Sequence, residues 1–437
     1  MKPSAVLRAT ALGAVIALGA SGCDSVPAGT AGPVTPASPR RPVAAVSQVA
    51  DAVQLAAGHW SALPLAPIAP RRGASVMWTG AEMLVWGGAS GDHDGHLYAD
   101  GAAYDPVAQT WRSLPPAPLS PRSGQVAVWT GHELVVWGCY THVGVNAVAV
   151  TSSGAAYDPT TNRWRTLAPA PLSPRADALA VWTGTAALIL GGQPAVTTAS
   201  NRSFSDGALY DPRTGRWRHL AGPSNTGGQP LGWVAALQAR GELLAWSTWS
   251  KTQHVGASPY AKDVGTSTYA MSGGTQLYRY GEATRDWRLL PASPASLPTL
   301  EDAIWTGRRA IVRGITYNCG DCPGAFVPEA TAIFDPRSNT WTRLPADPLA
   351  GDHLSSAWTG AALFSFNPHS INGTVHPGAA SAYDPRTNSW QRTSSAPFGC
   401  ANTTDPLWTG HQILMYCSPG VPGAPPTHGG LAFTPAR

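Results

Sequence analysis

Arg71, Arg122 and Arg175 each stand seven residues before a tryptophan (Trp78, Trp129 and Trp182), a spacing that marks them as equivalent positions of a repeat. Guanidinium groups gathered around one mouth suit carboxylates, such as those of an acidic peptide or an acidic sugar. The alternative is structural, with each arginine bonding loop carbonyls between neighbouring units. Near the same point of two later units the chain carries Glu301, Asp302, Asp352 and His353 instead, groups able to bind a ligand or to move a proton. One side of the mouth is therefore expected to be basic and the other acidic. Trp233 and Trp249 fall outside the repeating tryptophan positions and are candidate ligand contacts. Asp92-His93-Asp94-Gly95-His96 has side chains that could ligate a metal. Such residues in a glycine-rich loop are commonly only solvated, so neither a metal nor a cofactor is expected. There is no Ser-His-Asp series, phosphate loop or metalloprotease helix, and no catalytic residue is assigned.

The elements that position these groups follow from the repeat. Six aromatic residues in Tyr-Asp-Pro-like turns each precede a tryptophan by seven positions: Tyr104/Trp111, Tyr157/Trp164, Tyr210/Trp217, Tyr280/Trp287, Phe334/Trp341 and Tyr383/Trp390. A seventh aromatic, Phe433, has no tryptophan after it, and the matching tryptophan, Trp60, lies at the other end of the chain. A Trp-Thr-Gly marker recurs at Trp78, Trp129, Trp182, Trp305, Trp358 and Trp408, with Gln238 in the corresponding place of the fourth unit. The markers are 51, 53, 56, 67, 53 and 50 residues apart. That length suits one four-stranded propeller blade, which must stack on neighbours to bury its faces. The expectation is an all-β, seven-bladed propeller over 59–437, closed by a strand at Trp60 that completes the blade of Phe433.

Short β-branched and aromatic runs supply the strands. Asp-Pro-x-x-Asn/Gly supplies tight turns between the third and fourth strands. The stretches between the second and third strands, such as 89–101, 139–154 and 247–275, read as long loops, and the face that carries them is the expected functional face.

In Pro70-Arg71, Trp86-Gly87-Gly88, Tyr104 and Trp111, and again in Pro174-Arg175, Leu190-Gly191-Gly192, Tyr210 and Trp217, the unit resembles the Kelch repeat. The resemblance implies the propeller fold and a binding module. In animal Kelch propellers such arginines capture acidic peptides, which the likeness carries onto Arg71, Arg122 and Arg175. A carbohydrate enzyme similar to the Kelch-type sialic acid mutarotases is the second reading. Copper oxidases resembling galactose oxidase share the propeller, but they need a cysteine cross-linked to a tyrosine. Here Cys139 and Tyr140 are adjacent in sequence, which is the wrong arrangement.

Residues 1–22 carry Lys2 and Arg8, then an apolar stretch, and read as a secretory signal. Ala20-Ser21-Gly22-Cys23 resembles a bacterial lipobox, which implies lipidation at Cys23. Residues 23–58 are then a Pro/Ala-rich tether. In an exported protein disulfides are expected, Cys400 with Cys417 and, less clearly placed, Cys319 with Cys322, leaving Cys139 odd. Charged residues make up 12% of the 437 and the net charge is +4 with no dense basic run, which argues against nucleic acid. The expected protein is a monomer, attached to a membrane only through its lipid, that binds a protein or glycan ligand, with acidic groups those that the arginines would suit.

Overall fold

A computed structural model describes residues 52–90, 95–142, 148–194, 203–224, 232–257, 267–292, 299–317, 326–349, 354–367, 370–371, 374–375, 378–398, 402–418 and 429–436. These residues form seven antiparallel blades. Blade 1 is built from Ser75–Trp78, Met83–Trp86, Gly101–Asp105 and Thr110–Ser113. Blade 2 follows with Val126–Trp129, Leu134–His142, Val148–Asp158 and Arg163–Thr166. Blade 3 has Leu179–Trp182, Ala187–Leu190, Gly207–Asp211 and Arg216–Leu220. Blade 4 has Gly232–Ala239, Glu242–Ala257, Ser267–Gly281 and Asp286–Leu289. Blades 5 and 6 comprise Thr299–Trp305, Ala310–Tyr317, Phe326–Asp335 and Thr340–Arg343, then Ser355–Trp358, Leu363–Asn367, Ala379–Asp384 and Ser389–Arg392. In blade 7, Leu407–Trp408, Ile413–Ser418 and Gly430–Thr434 are completed by His59–Ala62 from the start of the chain. The first strands contact one another in sequence and the seventh returns to the first, which closes the ring around an axis.

Trp60 pairs with Phe433 in the closing register, and its ring packs 4.8 Å from Phe433 and 5.4 Å from Phe366. The repeat residues act as the sequence suggests. Asp105, Asp158, Asp211, Asp335 and Asp384 accept backbone N–H groups two residues on. Asn162, Gly215, Asn339 and Asn388 hold the left-handed conformation that returns the fourth strand. Between the first and second strands the marker threonines turn the chain by the same means, Thr130 Oγ1 accepting the Glu133 N–H at 2.9 Å.

Two expectations need correction. Residues 52–58 do not belong to a tether. Ala52–Ala56 forms a short helix, α1, whose Leu55 is fully buried in the blade 6–7 core beside Phe364 and Phe433, so the packed domain begins before residue 59. An Ala-rich segment has helical propensity, and one leucine is enough to dock it. The stretch 247–275 in blade 4 is not all loop either. Its two strands stay paired as far as Ala257 opposite Ser267, forming a two-stranded arm. Thr, Val and Tyr on these segments favour extended pairing, and no proline interrupts it.

Candidate functional site

On the long-loop face, blades 1 to 3 share one arrangement. There the lead-in to each first strand pairs with the root of the same blade's long loop: Arg72 with Ala89, Ser123 with Tyr140 and Ala176 with Gln193. One arginine sits under each junction. Arg71, Arg122 and Arg175 are 1%, 0% and 1% exposed. Each donates Nε to the carbonyl two residues back (Ala69, Ser120, Ser173) and an Nη to the carbonyl of the glycine four residues after the start of the second strand (Gly87, Gly138, Gly191). The far end of the loop is gripped as well, through the carbonyls of Asp100, Ser153 and Asp206. These carbonyl bonds lie within a blade rather than between blades, although Arg71 also reaches the Tyr416 hydroxyl of blade 7. Neighbours are joined by the arginines' own backbone carbonyls, since Arg122 accepts from Gly88 N–H and Arg175 from Cys139 N–H.

The three sites differ in charge. Arg71 pairs with Asp100 at 2.7 Å and lies 4.2 Å from the Tyr98 ring centroid; Arg175 pairs with Asp206 at 2.8 Å and lies 3.9 Å from that of Phe204. Burial pushes the Asp206 carboxyl up, but hydrogen bonds from Arg175 and His219 outweigh it and hold it below the usual range. The expected basic side of the mouth is thus largely neutralised. Arg122 is the exception. Its remaining contacts are the Ser120 and Ser153 hydroxyls, with no carboxylate among the described residues. Burial lowers its pKa, and the only opposing influence is nearby Cys139.

Above Arg122 the surface is made of hydroxyls. Thr141 Oγ1 donates to the Pro121 carbonyl at 3.2 Å, and Thr151 and Ser153 hydroxyls meet at 3.0 Å. Beside them Tyr140 donates to Asp177 Oδ2 at 2.7 Å. Asp177 has a φ of 52°, where blades 1 and 2 place Gly73 and Gly124 at the equivalent point. A non-glycine residue there signals a backbone conformation retained despite its cost. Asp177 is open to water yet closely surrounded, and this crowding pushes its carboxyl up against the lowering effect of the Tyr140 bond. Sequence reading missed this pair; an aspartate where two sister units have glycine was the available signal. Cys139 is a free, fully buried thiol at the bulge of the same loop, with its pKa pushed up to about 12 by burial.

The remaining candidates do not gather here. Trp233 is 7% exposed, donates to Ser205 O at 3.0 Å and packs between Tyr278 and Trp287, so it is a core residue joining blades 3 and 4. Asp302 lies half-buried in the first strand of blade 5. Glu301 shares that strand, but its side chain, Asp352, His353, His93, Cys319, Cys322, Cys400, Cys23, the signal and the tether before residue 52 lie outside the described residues. Cys417 is buried at the end of its strand. No cluster of three potential metal ligands occurs among the described residues.

A second polar centre lies between blades 5 and 6. Arg313 is fully buried where blades 1, 2 and 4 place Trp86, Trp137 and Trp246. It bonds Ser356, Ser365 and Asp347, and Ser381 donates to the other Asp347 oxygen at 2.8 Å. A buried cation is tolerated only when paired and fully hydrogen-bonded, and the three serines and one aspartate provide that here.

Comparison with curated proteins gives no match. Residues 45–237 match the KLHDC2/KLHL20/DRC7 Kelch-repeats domain, a span that takes in blades 1 to 3 and reaches the first strand of blade 4. Seven four-stranded blades in a closed ring make this chain a β-propeller, and over three of those blades it is similar to that Kelch-repeats domain.

Proposed function

We propose that the protein is an exported, lipid-anchored binding module whose long-loop face takes an acidic group of a protein or glycan ligand. Arg122 carries the reading. It is a buried cation without a carboxylate partner among the described residues, lying under a rim formed by Thr141, Thr151 and Ser153. An uncompensated charge beneath hydroxyl donors attracts an anion, while arginine braces fix the loop roots and lower the ordering cost of binding. The ligand-facing role expected of Arg71 and Arg175 passes to the residues above them, because their charges are already met by Asp100 and Asp206. The signal sequence, the lipobox at Cys23 and the tether support export and anchoring, and a Cys400–Cys417 disulfide belongs to the same reading. Monomeric behaviour is part of the proposal.

Arrays of acidic glycans and acidic peptides, probed with the purified domain, test it. Arg122→Gln should weaken binding to any hit about tenfold, and binding should decline with added salt. Hits that bind Arg122→Gln as tightly as wild type, with the fold verified by circular dichroism, would sink the proposal.

A further inference from the structure

The opposite face holds a second feature. At six of the seven interfaces the marker tryptophan of one blade packs toward the blade before it: Trp129 joins the core of blades 1 and 2, Trp182 that of blades 2 and 3, and Trp305, Trp358, Trp408 and Trp78 close the rest in turn. Between blades 3 and 4 that position is Gln238, whose backbone pairs with Leu243 and whose side chain makes no hydrogen bond among the described residues. A second departure adds to it. Glu82 and Glu133 pair with the outer-strand arginines Arg112 and Arg165 of their blades, but the equivalent of those glutamates in blade 3 is Ala186. Arg218 therefore turns across the interface to Glu282 of blade 4 at 2.8 Å. Loss of an indole and of a carboxylate side chain leaves a cleft of about 430 Å³ at this interface, within the size range of small-ligand sites.

The lining specifies the chemistry. Buried Leu209, Leu220, Leu243 and Tyr280 form apolar walls where an indole would sit by analogy with the other interfaces. At the rim, Asp211 is engaged by Arg213 and Glu282 by Arg218, whereas exposed Arg216 has no ion-pair partner among the described residues. Arg216, Arg218 and Leu220 alternate along one strand and so point to the same side, toward blade 4. The cleft thus combines a flat apolar slot, a free amide at Gln238 and one uncompensated guanidinium.

We propose that this cleft binds a planar aromatic ring bearing a carboxylate, either as a free aromatic acid or as the same group presented by a peptide. The ring takes the space that the other six interfaces fill with their own tryptophan, and the carboxylate meets Arg216. This site is separate from the loop mouth and does not depend on the reading given to it.

Ligand-observed NMR and calorimetry on the full folded domain, with indole-3-propionate and an acetylated Trp-Asp dipeptide as probes, test the proposal. Wild type should bind at least one of them, and tighter binding of the dipeptide would identify a peptide source. Gln238→Trp restores the repeat residue and should abolish binding while raising the melting temperature. Ala186→Glu narrows the cleft independently and should weaken binding about tenfold, as should Arg216→Ala. Failure of wild type to bind either probe overturns the proposal. So does a well-folded Gln238→Trp or Ala186→Glu protein that binds like wild type.

Discussion

The indole N–H of Trp60 donates to the backbone carbonyl of Ser394 at 2.7 Å across 334 residues of chain. The same bond recurs at every interface. Trp111, Trp164, Trp217, Trp287, Trp341 and Trp390 donate to Pro64, Pro115, Ala168, Ala221, Pro291 and Pro345, at 2.8 to 3.2 Å. In each case a fourth-strand tryptophan ties its blade to the segment leaving the blade before it. Trp164→Phe keeps most of the ring packing and removes only the donor, so it should cost about 1 kcal/mol in urea denaturation. Trp60→Phe should cost a similar amount, because the closing interface uses the same bond as the others.

Helix α1 gives a boundary test. Removing residues 1–51 should leave thermal stability unchanged, whereas removal through residue 58 strips Leu55 from the core together with the Gly58 carbonyl that accepts from Ser394 Oγ at 2.9 Å. Leu55→Ala alone should cost about 2–5 kcal/mol, measured by chemical denaturation.

The Arg313–Asp347 pair predicts an asymmetric mutational response. Both side chains are almost fully buried, at 0% and 1% exposure, so removing either partner strands a charge. Asp347→Ala should destabilise the ring by about 3–5 kcal/mol. The double variant with Arg313→Leu should recover a large part of that loss, and a denaturation series on the two singles and the double measures the coupling.

Cys139 predicts a pH effect. Its folded pKa is raised from the ordinary 9.0 to about 12, so the thiol stays neutral in the ring over a range where the unfolded chain ionises. Its contribution is complete below pH 9.0 and is lost as the pH climbs to about 12. Cys139→Ala should flatten the stability curve across that window relative to wild type. At pH 8 a thiol reagent should leave Cys139 untouched until the protein unfolds.

The architecture was legible in the sequence because it depends on residues that perform one local task seven times. Tyr104 and Trp111 have the spacing of a pair joined by a tight turn, and Trp60 and Phe433 are the two halves of a unit split by the chain ends. The site was less legible. Arg71, Arg122 and Arg175 look like surface groups because arginine usually is one; what buries them is the convergence of Gly87, Asp100 and their equivalents at the loop roots, which single positions do not reveal. Arg313 looks like an eroded repeat position, and its partners are scattered over three strands of the next blade (Ser356, Ser365 and Ser381) and the segment leading into it (Asp347). The blade 3–4 cleft was marked by Gln238, but the second departure, at Ala186, carries meaning only once the Arg112–Glu82 pair of blade 1 is known.

Because Trp60 waits for Phe433, the ring cannot shut until the segment around Phe433 has been made. At about 5–20 residues per second the stretch from Trp60 to Phe433 takes roughly 20–75 s to make. Throughout that time the outer strand at His59–Ala62 has no partner, and the growing ribbon of sheets keeps an exposed edge at each end. Premature termination before Gly430 would leave both edges open for good, giving a product prone to aggregate rather than a slightly smaller propeller.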